Sequence, residues 1–232
     1  MAYTPLQKKL FFLLTLILVV GGFFTVKNIQ LNAKSHQLTQ MPPATLEGID
    51  PKTQKSQTYN LESFKGKWIV FEWFNNDCPY VDKHYDTQNM QALQKKYTDQ
   101  GVIWLTVASS KKDKQGYLDA GVAKLMIDDR KPQQSAILFD HDGQLARNFG
   151  ATATPHMFVV DPQGTIVYRG AIDDKSSFRK TSVEGARNYV DEVLGAYLGK
   201  DLQGRKNLVT QQPVYGCSIK NDLKSAPQKP LS

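Results

Sequence analysis

Phe71-Glu72-Trp73-Phe74-Asn75-Asn76-Asp77-Cys78-Pro79-Tyr80-Val81-Asp82-Lys83-His84-Tyr85 decides the reading of this chain. The stretch joins two patterns. Ile69 to Phe74 is a nearly continuous apolar run, as expected of a strand covered on both faces. Tyr80 to Tyr97 carries apolar residues at helical spacing, with Met90, Leu93 and Tyr97 as one stripe. Cys78-Pro79 therefore stands at a strand-to-helix junction. A sulfur there meets backbone N–H groups and the positive end of a helix dipole. Both favour the thiolate, the form that attacks a disulfide or a peroxide. Val81 occupies the place where a vicinal redox pair would put its second cysteine. The only other cysteine is Cys217, near the C-terminus.

Working outward, residues 44–67 read as a hairpin-like lead-in closed by Gly66 before the first core strand. Val102 to Ala108 is a second buried strand, and Ser109 to Gly116 a lysine-rich loop. Tyr117 to Ile127 has helical character. Ala136 to Phe139 is a short strand, followed by a turn at Asp140 to Gly143 and a helical turn over Leu145 to Phe149. Met157 to Asp161 and Thr165 to Gly170 flank Pro162-Gln163-Gly164, a hairpin signal. Val183 to Leu198 reads as a last helix, and Leu202 to Ser232 as a polar, extended tail. Strand and helix alternate, then a hairpin, then a helix. That order predicts one α/β domain with a mixed sheet and helices on both faces.

The chain has 232 residues, 41% hydrophobic and 22% charged, enough for one domain with a core and tails. Two cysteines are too few for a disulfide scaffold, so packing must hold the fold. Much of the net charge of +7 sits in the termini. No basic stripe interleaved with aromatics argues for nucleic acid. Lys8 and Lys9 precede Leu10 to Val26, an uncharged run of 17 residues. As a helix it would span about 26 Å, close to a ~30 Å hydrocarbon core. Residues 1–35 are thus read as a signal peptide or signal anchor, with the balance towards an uncleaved anchor. The following domain would then lie outside the cytoplasm, in the periplasm or on the periplasmic face of the inner membrane. Residues 36–43 are a linker, 44–200 the folded domain, and 201–232 the tail carrying Cys217.

With Cys-Pro at the end of the first core strand, this order resembles the thioredoxin-like fold. Thr152-Ala153-Thr154-Pro155-His156-Met157-Phe158-Val159-Val160-Asp161 is similar to that family's cis-proline loop and the strand after it. Glu72 lies six residues before Cys78, where thioredoxins carry a buried acid. Within the superfamily, residues 71–85 resemble a bacterial branch of redoxin-domain proteins, the alkyl hydroperoxide reductase and thiol-specific antioxidant group. Gly170-Ala171-Ile172-Asp173-Asp174 and Tyr215-Gly216-Cys217-Ser218-Ile219-Lys220 share the likeness, which spans residues 44–221. Two departures stand out. Val81 rules out a local dithiol, and Asn75 replaces the threonine or serine that a standard peroxiredoxin carries three residues before its cysteine.

The resemblance implies that Cys78 attacks, that Glu72 manages protons, and that Pro155 shapes a groove with Thr154, Pro79, Tyr80 and Asn75. For Cys217 two readings stand: an inert tail thiol, or a resolving partner. An even pair of cysteines in an exported chain points to pairing, and Gly216 allows a tight approach. The bridge would close a loop of about 140 residues, worth up to ~5 kcal/mol in the chain-entropy model. His84 is expected on the helix surface, and His156 in the core or beside the site. Asp77 would oppose the helix dipole, with Lys83 and Arg169 as offsetting cations. The four histidines are scattered and no cysteine pair has zinc spacing, so no metal is expected. No cofactor is implied.

One expectation is an exported thiol oxidoreductase or peroxiredoxin-like peroxidase acting on a disulfide or hydroperoxide. An external dithiol, thioredoxin-like or a membrane thiol donor, would recharge it. The other is a non-catalytic thioredoxin-like module on the membrane, where the proline loop and an exposed Tyr80 hold an extended peptide.

Overall fold

The computed structural model describes residues 40–199 and 208–221. The apolar run 10–26 expected to be an anchor lies outside them. Among the described residues no helix is long and apolar enough to cross a membrane.

The chain opens with the antiparallel pair β1 (Thr45–Ile49) and β2 (Ser56–Asn60), and a 3-10 turn over Leu61–Phe64. The first core strand, β3 (Ile69–Trp73), leads through Cys78 into α1 (Pro79–Asp86) and α2 (Asn89–Thr98). Then come β4 (Ile103–Ala108), α3 (Ala120–Arg130), β5 (Ala136–Phe139) and α4 (Gln144–Phe149). Two residues of β6 (Ala153–Thr154) precede the hairpin β7 (His156–Val160) and β8 (Ile166–Gly170). The chain continues with α5 (Tyr189–Leu198) and β9 (Cys217–Ser218). Seven strands form one sheet in the order β2-β1-β5-β4-β3-β7-β8. β4 is parallel to β3 and β5, and the remaining pairs are antiparallel, so the sheet is mixed.

Strand alternation divides the core. Phe71 and Trp73 join Leu105, Val107, Phe158 and Phe149 on one face, which α4 covers. Val70 and Phe74 join Trp104, Met157, Val81, Tyr85 and Val190 on the other, covered by α1, α2, α3 and α5. Glu72 shares the parity of Val70 and Phe74, so its carboxylate enters the face that also holds Cys78.

The helical spacing from Tyr80 to Tyr97 predicts one continuous helix, yet the structure has two. Gln88 adopts φ 60°, a left-handed conformation that breaks the ladder. Just before it, the Thr87 hydroxyl donates to the Lys83 carbonyl at 2.6 Å and closes α1. The last helix is also shorter than its pattern. Lys180–Val183 forms a separate 3-10 turn, and α5 starts where the Asn188 side chain accepts the Asp191 N–H at 3.0 Å.

Candidate active site

Cys78 is the N-cap residue of α1, with Pro79 in the first helical position, where no N–H is needed. Its backbone is extended, with φ −98° and ψ 118°. Its carbonyl receives the N–H groups of Val81 at 2.8 Å and Asp82 at 2.9 Å. The thiol donates to the carbonyl oxygen of Thr154 at 3.2 Å and has no exposed surface. The Thr154–Pro155 bond is cis and Pro155 is buried, and the Thr154 carbonyl brings this loop to the sulfur.

Cys217 comes to the same place from the other end of the chain. β9 pairs antiparallel with β6, which sets Cys217 in register with Thr154 and Ser218 with Ala153. Gly216 makes this approach feasible. It has φ 129°, and a Cβ there would collide with the Thr154 carbonyl oxygen. Both cysteines are free thiols, and Cys78 is near enough to bear on the titration of Cys217. Desolvation first, then the bond to Cys78 and its charge, push the Cys217 thiol up to about 12.

Residues 208–221 form a strap rather than a loose tail. Along β8, the Arg169 N–H donates to the Thr210 carbonyl and the Gln212 N–H to the Arg169 carbonyl, each at 3.1 Å. After β9, the Ile219 N–H reaches the Thr152 carbonyl at 3.3 Å, and the Lys111 N–H reaches the Lys220 carbonyl at 3.0 Å. The Asn221 side chain then donates to the carbonyls of Ser109 at 2.9 Å and His141 at 3.1 Å. The strap thus runs from β8, past Cys78, to the carboxyl ends of β4 and β5. An extended tail was expected at 202–232; residues 208–221 are docked instead, each contact satisfying a backbone group.

Glu72 is fully buried in a cage of donors. Tyr85 Oη donates to Oε1 at 2.9 Å. Trp104 Nε1 at 2.9 Å, Gln94 Nε2 at 3.1 Å and Thr106 Oγ1 at 3.3 Å donate to Oε2. Desolvation raises its pKa and the four bonds partly oppose that rise. None of these bonds involves Cys78, so the acid meets the sulfur through no direct hydrogen bond.

Asn75 is buried. Its Oδ1 accepts the Asp77 N–H at 2.8 Å, while Nδ2 has no hydrogen-bond partner. Gly116 lies against this side chain, so the lysine-rich loop closes over it. Asp77 is turned to the same loop, accepting the Gly116 N–H at 2.9 Å. Val81 is a core residue. Pro79 is exposed, whereas Tyr80 is half-buried rather than exposed, because the Tyr215 ring lies 5.7 Å from its own.

Three expectations fail. The Cys78 sulfur makes no capping hydrogen bond to the N–H groups of α1 and is turned to the Thr154 carbonyl instead. His84 is not on the helix surface; it is fully buried on α1, and desolvation followed by the neighbouring Lys83 charge lowers its pKa to about 3. Lys83 is equally buried and is turned to Asp173, Nζ to Oδ2 3.5 Å, rather than offsetting Asp77. His156 belongs to the core, stacked on Phe158 with ring centroids 4.4 Å apart. Among the described residues no group of three or more His, Cys, Asp or Glu side chains could hold a metal ion. Reading the sequence alone missed the Glu72 donors, Gly116 and the Asp173–Tyr215 pair. Asp173 and Tyr215 sit inside motifs that carried the resemblance, so for that pair the signal was present without its geometry.

Residues 39–169 match the AhpC/TSA family. No curated protein sequence matches the chain. Among solved structures, an uncharacterised conserved protein from Geobacillus kaustophilus is 24% identical with TM-score 0.63, covering 81% of this chain and 92% of its own. A hypothetical protein from Sinorhizobium meliloti 1021 is 22% identical with TM-score 0.62, covering 79% and 93%. Mycobacterium tuberculosis AhpC is 18% identical with TM-score 0.51, covering 70% and 93%. These three likenesses concern the fold. The family match takes in more than half of the chain, including Cys78 and the cis-proline loop, and the chain belongs to the AhpC/TSA family as a thioredoxin-like redoxin.

Proposed function

We propose that the protein is a thiol oxidoreductase in which Cys78 attacks and Cys217 resolves. The observation that carries this reading is the register of Thr154 with Cys217, while the same Thr154 carbonyl accepts the Cys78 thiol. One residue thereby anchors the Cys78 thiol and the Cys217 backbone, and the rise that Cys78 causes in the Cys217 pKa fits two neighbouring sulfurs. With a hydroperoxide, the Cys78 thiolate takes the distal oxygen. The O–O bond breaks, the alcohol or water leaves with a proton, and Cys78 becomes a sulfenic acid. Cys217 sulfur then attacks Cys78 sulfur, the S–O bond breaks, water departs, and an intramolecular disulfide remains. With a disulfide substrate, Cys78 forms a mixed disulfide and expels one thiolate. Cys217 then displaces the other. An external dithiol returns both sulfurs to thiols, becoming a disulfide itself.

In this reading the elevated Cys217 pKa has a purpose in timing. The charge and hydrogen bond on Cys78 suppress the Cys217 thiolate while Cys78 is reduced. Oxidation of Cys78 removes that charge and eases ionisation of Cys217, while desolvation still opposes it. Pro155 and Thr154 shape the site, Pro79 and Tyr80 rim it, and Asn75 offers its unused Nδ2–H to a substrate oxygen. Glu72 shares the sheet face that holds Cys78, and its part in this reading is through its charge, since no hydrogen bond links it, Tyr85 or Gln94 to the sulfur. The run 10–26 supports an exported, membrane-side location; fractionation that finds the full chain in the cytosol would overturn that part.

Mass spectrometry after one equivalent of hydrogen peroxide, or of a small disulfide, tests the chemistry. The expected product is a Cys78–Cys217 bridge, 2 Da lighter than the dithiol by loss of two hydrogens. Cys78→Ser should abolish consumption of oxidant, and unchanged turnover of both oxidants in that variant would refute the proposal. One observation favours a second reading, a peptide-binding module: Cys78 has no exposed surface. Iodoacetamide that fails to label Cys78 in the reduced protein across pH 6–9 would support the module.

A further inference from the structure

A buried polar cluster lies beside the two sulfurs and takes no part in the chemistry above. Lys83 and Asp173 have side-chain exposures of 0% and 2%, and Nζ stands 3.5 Å from Oδ2. Lys83 Nζ also donates to the Lys175 carbonyl at 2.8 Å. Asp173 Oδ1 accepts the Lys175 N–H at 2.9 Å and the Tyr215 hydroxyl. The Tyr215 ring lies beneath Lys83, with Nζ 5.0 Å from its centroid, and beside Tyr80. His84 Nε2 sits 3.7 Å from Asp173 Oδ2 and is held neutral by burial. Burial and the Asp173 charge raise the Tyr215 pKa, so its hydroxyl stays a proton donor.

Burying an ion pair is costly unless geometry and further hydrogen bonds repay it, so its role here is sought in what it connects rather than in net stabilisation. Its connections show what it specifies. Lys83 rides on α1, the helix that Cys78 caps. Asp173 lies in the turn after β8. Tyr215 lies in the strap, two residues before Cys217. All of Asp173, Tyr215 and Cys217 fall beyond the residues 39–169 that match the family.

We infer that Tyr215, held by Asp173 and Lys83, is the positioning residue that clasps the strap and sets Cys217 against Cys78. The inference rests on the resolving role proposed for Cys217. Lys83 fixes Asp173, Asp173 fixes the Tyr215 hydroxyl, and Tyr215 fixes where Gly216 enters beneath Thr154. Between clasp and sulfur there is one residue, so a lateral shift of Tyr215 passes directly to Cys217. The clasp acts on the second step, attack of Cys217 on oxidised Cys78, and leaves the first step to Cys78 and its own surroundings.

Tyr215→Phe removes the hydroxyl and keeps the ring against Lys83 and Tyr80. The probe is one equivalent of hydrogen peroxide on the reduced full chain, sampled by acid quench. Loss of the Cys78 thiol and appearance of the bridge are followed separately, with dimedone trapping the sulfenic acid. Loss of the Cys78 thiol should proceed at least as fast as in the unaltered protein. Bridge closure should slow about tenfold or more, the scale of one hydrogen bond to a charged group, and trapped sulfenic acid should accumulate. A merely structural defect would slow both steps or neither. Amide hydrogen exchange of residues 208–221 supplies a readout independent of chemistry: exchange at Cys217 and Ile219 should quicken by a similar factor. Asp173→Asn should act in the same direction, and if it fails to fold, Tyr215→Phe alone decides. Wild-type closure rate and unchanged exchange in Tyr215→Phe would overturn the clasp. Absence of any bridge in the unaltered protein would instead overturn the resolving role of Cys217, and the exchange data would still judge the clasp.

Discussion

Gly216 lies directly against the carbonyl oxygen of Thr154, the same oxygen that accepts the Cys78 thiol. A side chain at 216 would strike backbone on the far side, and φ 129° is a conformation that L-residues rarely adopt. Gly216→Ala should therefore push the strap off β6. The domain should stay folded, because both core faces are built without residue 216. Cys78 alkylation by iodoacetamide should rise at least tenfold as its cover lifts, and bridge formation should fall. Labelling at the unaltered rate would disprove the role assigned to this glycine.

Cys217 should change its titration when Cys78 is removed. The Cys78 hydrogen bond and charge are two of the causes that raise it, so Cys78→Ala should bring it down from about 12. Desolvation, the largest cause, remains and should keep it above an ordinary thiol. Alkylation of the Cys217 peptide against pH, read by mass spectrometry, checks this. Superimposable profiles in the two proteins would show that the sulfurs do not sense each other.

Glu72 gives a pH dependence of known sign. Its carboxyl holds a proton more tightly in the folded protein than in the unfolded chain. The stability this contributes is whole below about pH 4.5 and is lost as pH rises through the elevated folded-state value, with a slope of up to ~1.4 kcal/mol per pH unit. Glu72→Gln keeps an acceptor for Trp104, Gln94 and Thr106, and Tyr85 Oη can turn to accept the new amide. Urea midpoints of the unaltered protein should fall relative to the variant as pH is raised above that point. Parallel pH curves for the two proteins would contradict the assignment.

Gln88 provides a stability prediction away from the site. It is exposed, sits at φ 60° between α1 and α2, and its side chain makes one long bond to the Tyr85 carbonyl at 3.4 Å. Gln88→Gly relieves a left-handed conformation costing ~1–2 kcal/mol and adds backbone entropy to the unfolded chain. A net gain of about 0.5–1 kcal/mol in urea unfolding is expected, without change in Cys78 reactivity. A loss of stability would mean the Tyr85 contact outweighs the strain.

The sequence made the sheet legible because its strands are buried on both faces and read as unbroken apolar runs. Cys78 and Pro155 were legible because each punctuates such a run. Residues 80–97 misled for a local reason: periodicity continues across Thr87-Gln88, and nothing in the spacing shows a single left-handed residue. His84 and Lys83 misled for a different one. Polar residues on a helix are normally solvated, and the partner that buries these two, Asp173, lies about 90 positions away. The strap was hidden in the same way, since polar, proline-bearing composition describes its side chains while its docking depends on backbone groups.

The docking of residues 208–221 also gives the sulfur chemistry an order in time. Chains emerge from the ribosome N-terminus first. β3, β4, β5 and the loop bearing Pro155 are all made before Tyr215 and Cys217. During that interval Cys78 has neither cover nor partner within its own chain, and any sulfur it meets belongs to another molecule. Completion of the strap ends this period, so the newborn protein and the finished one present two different reagents to their surroundings.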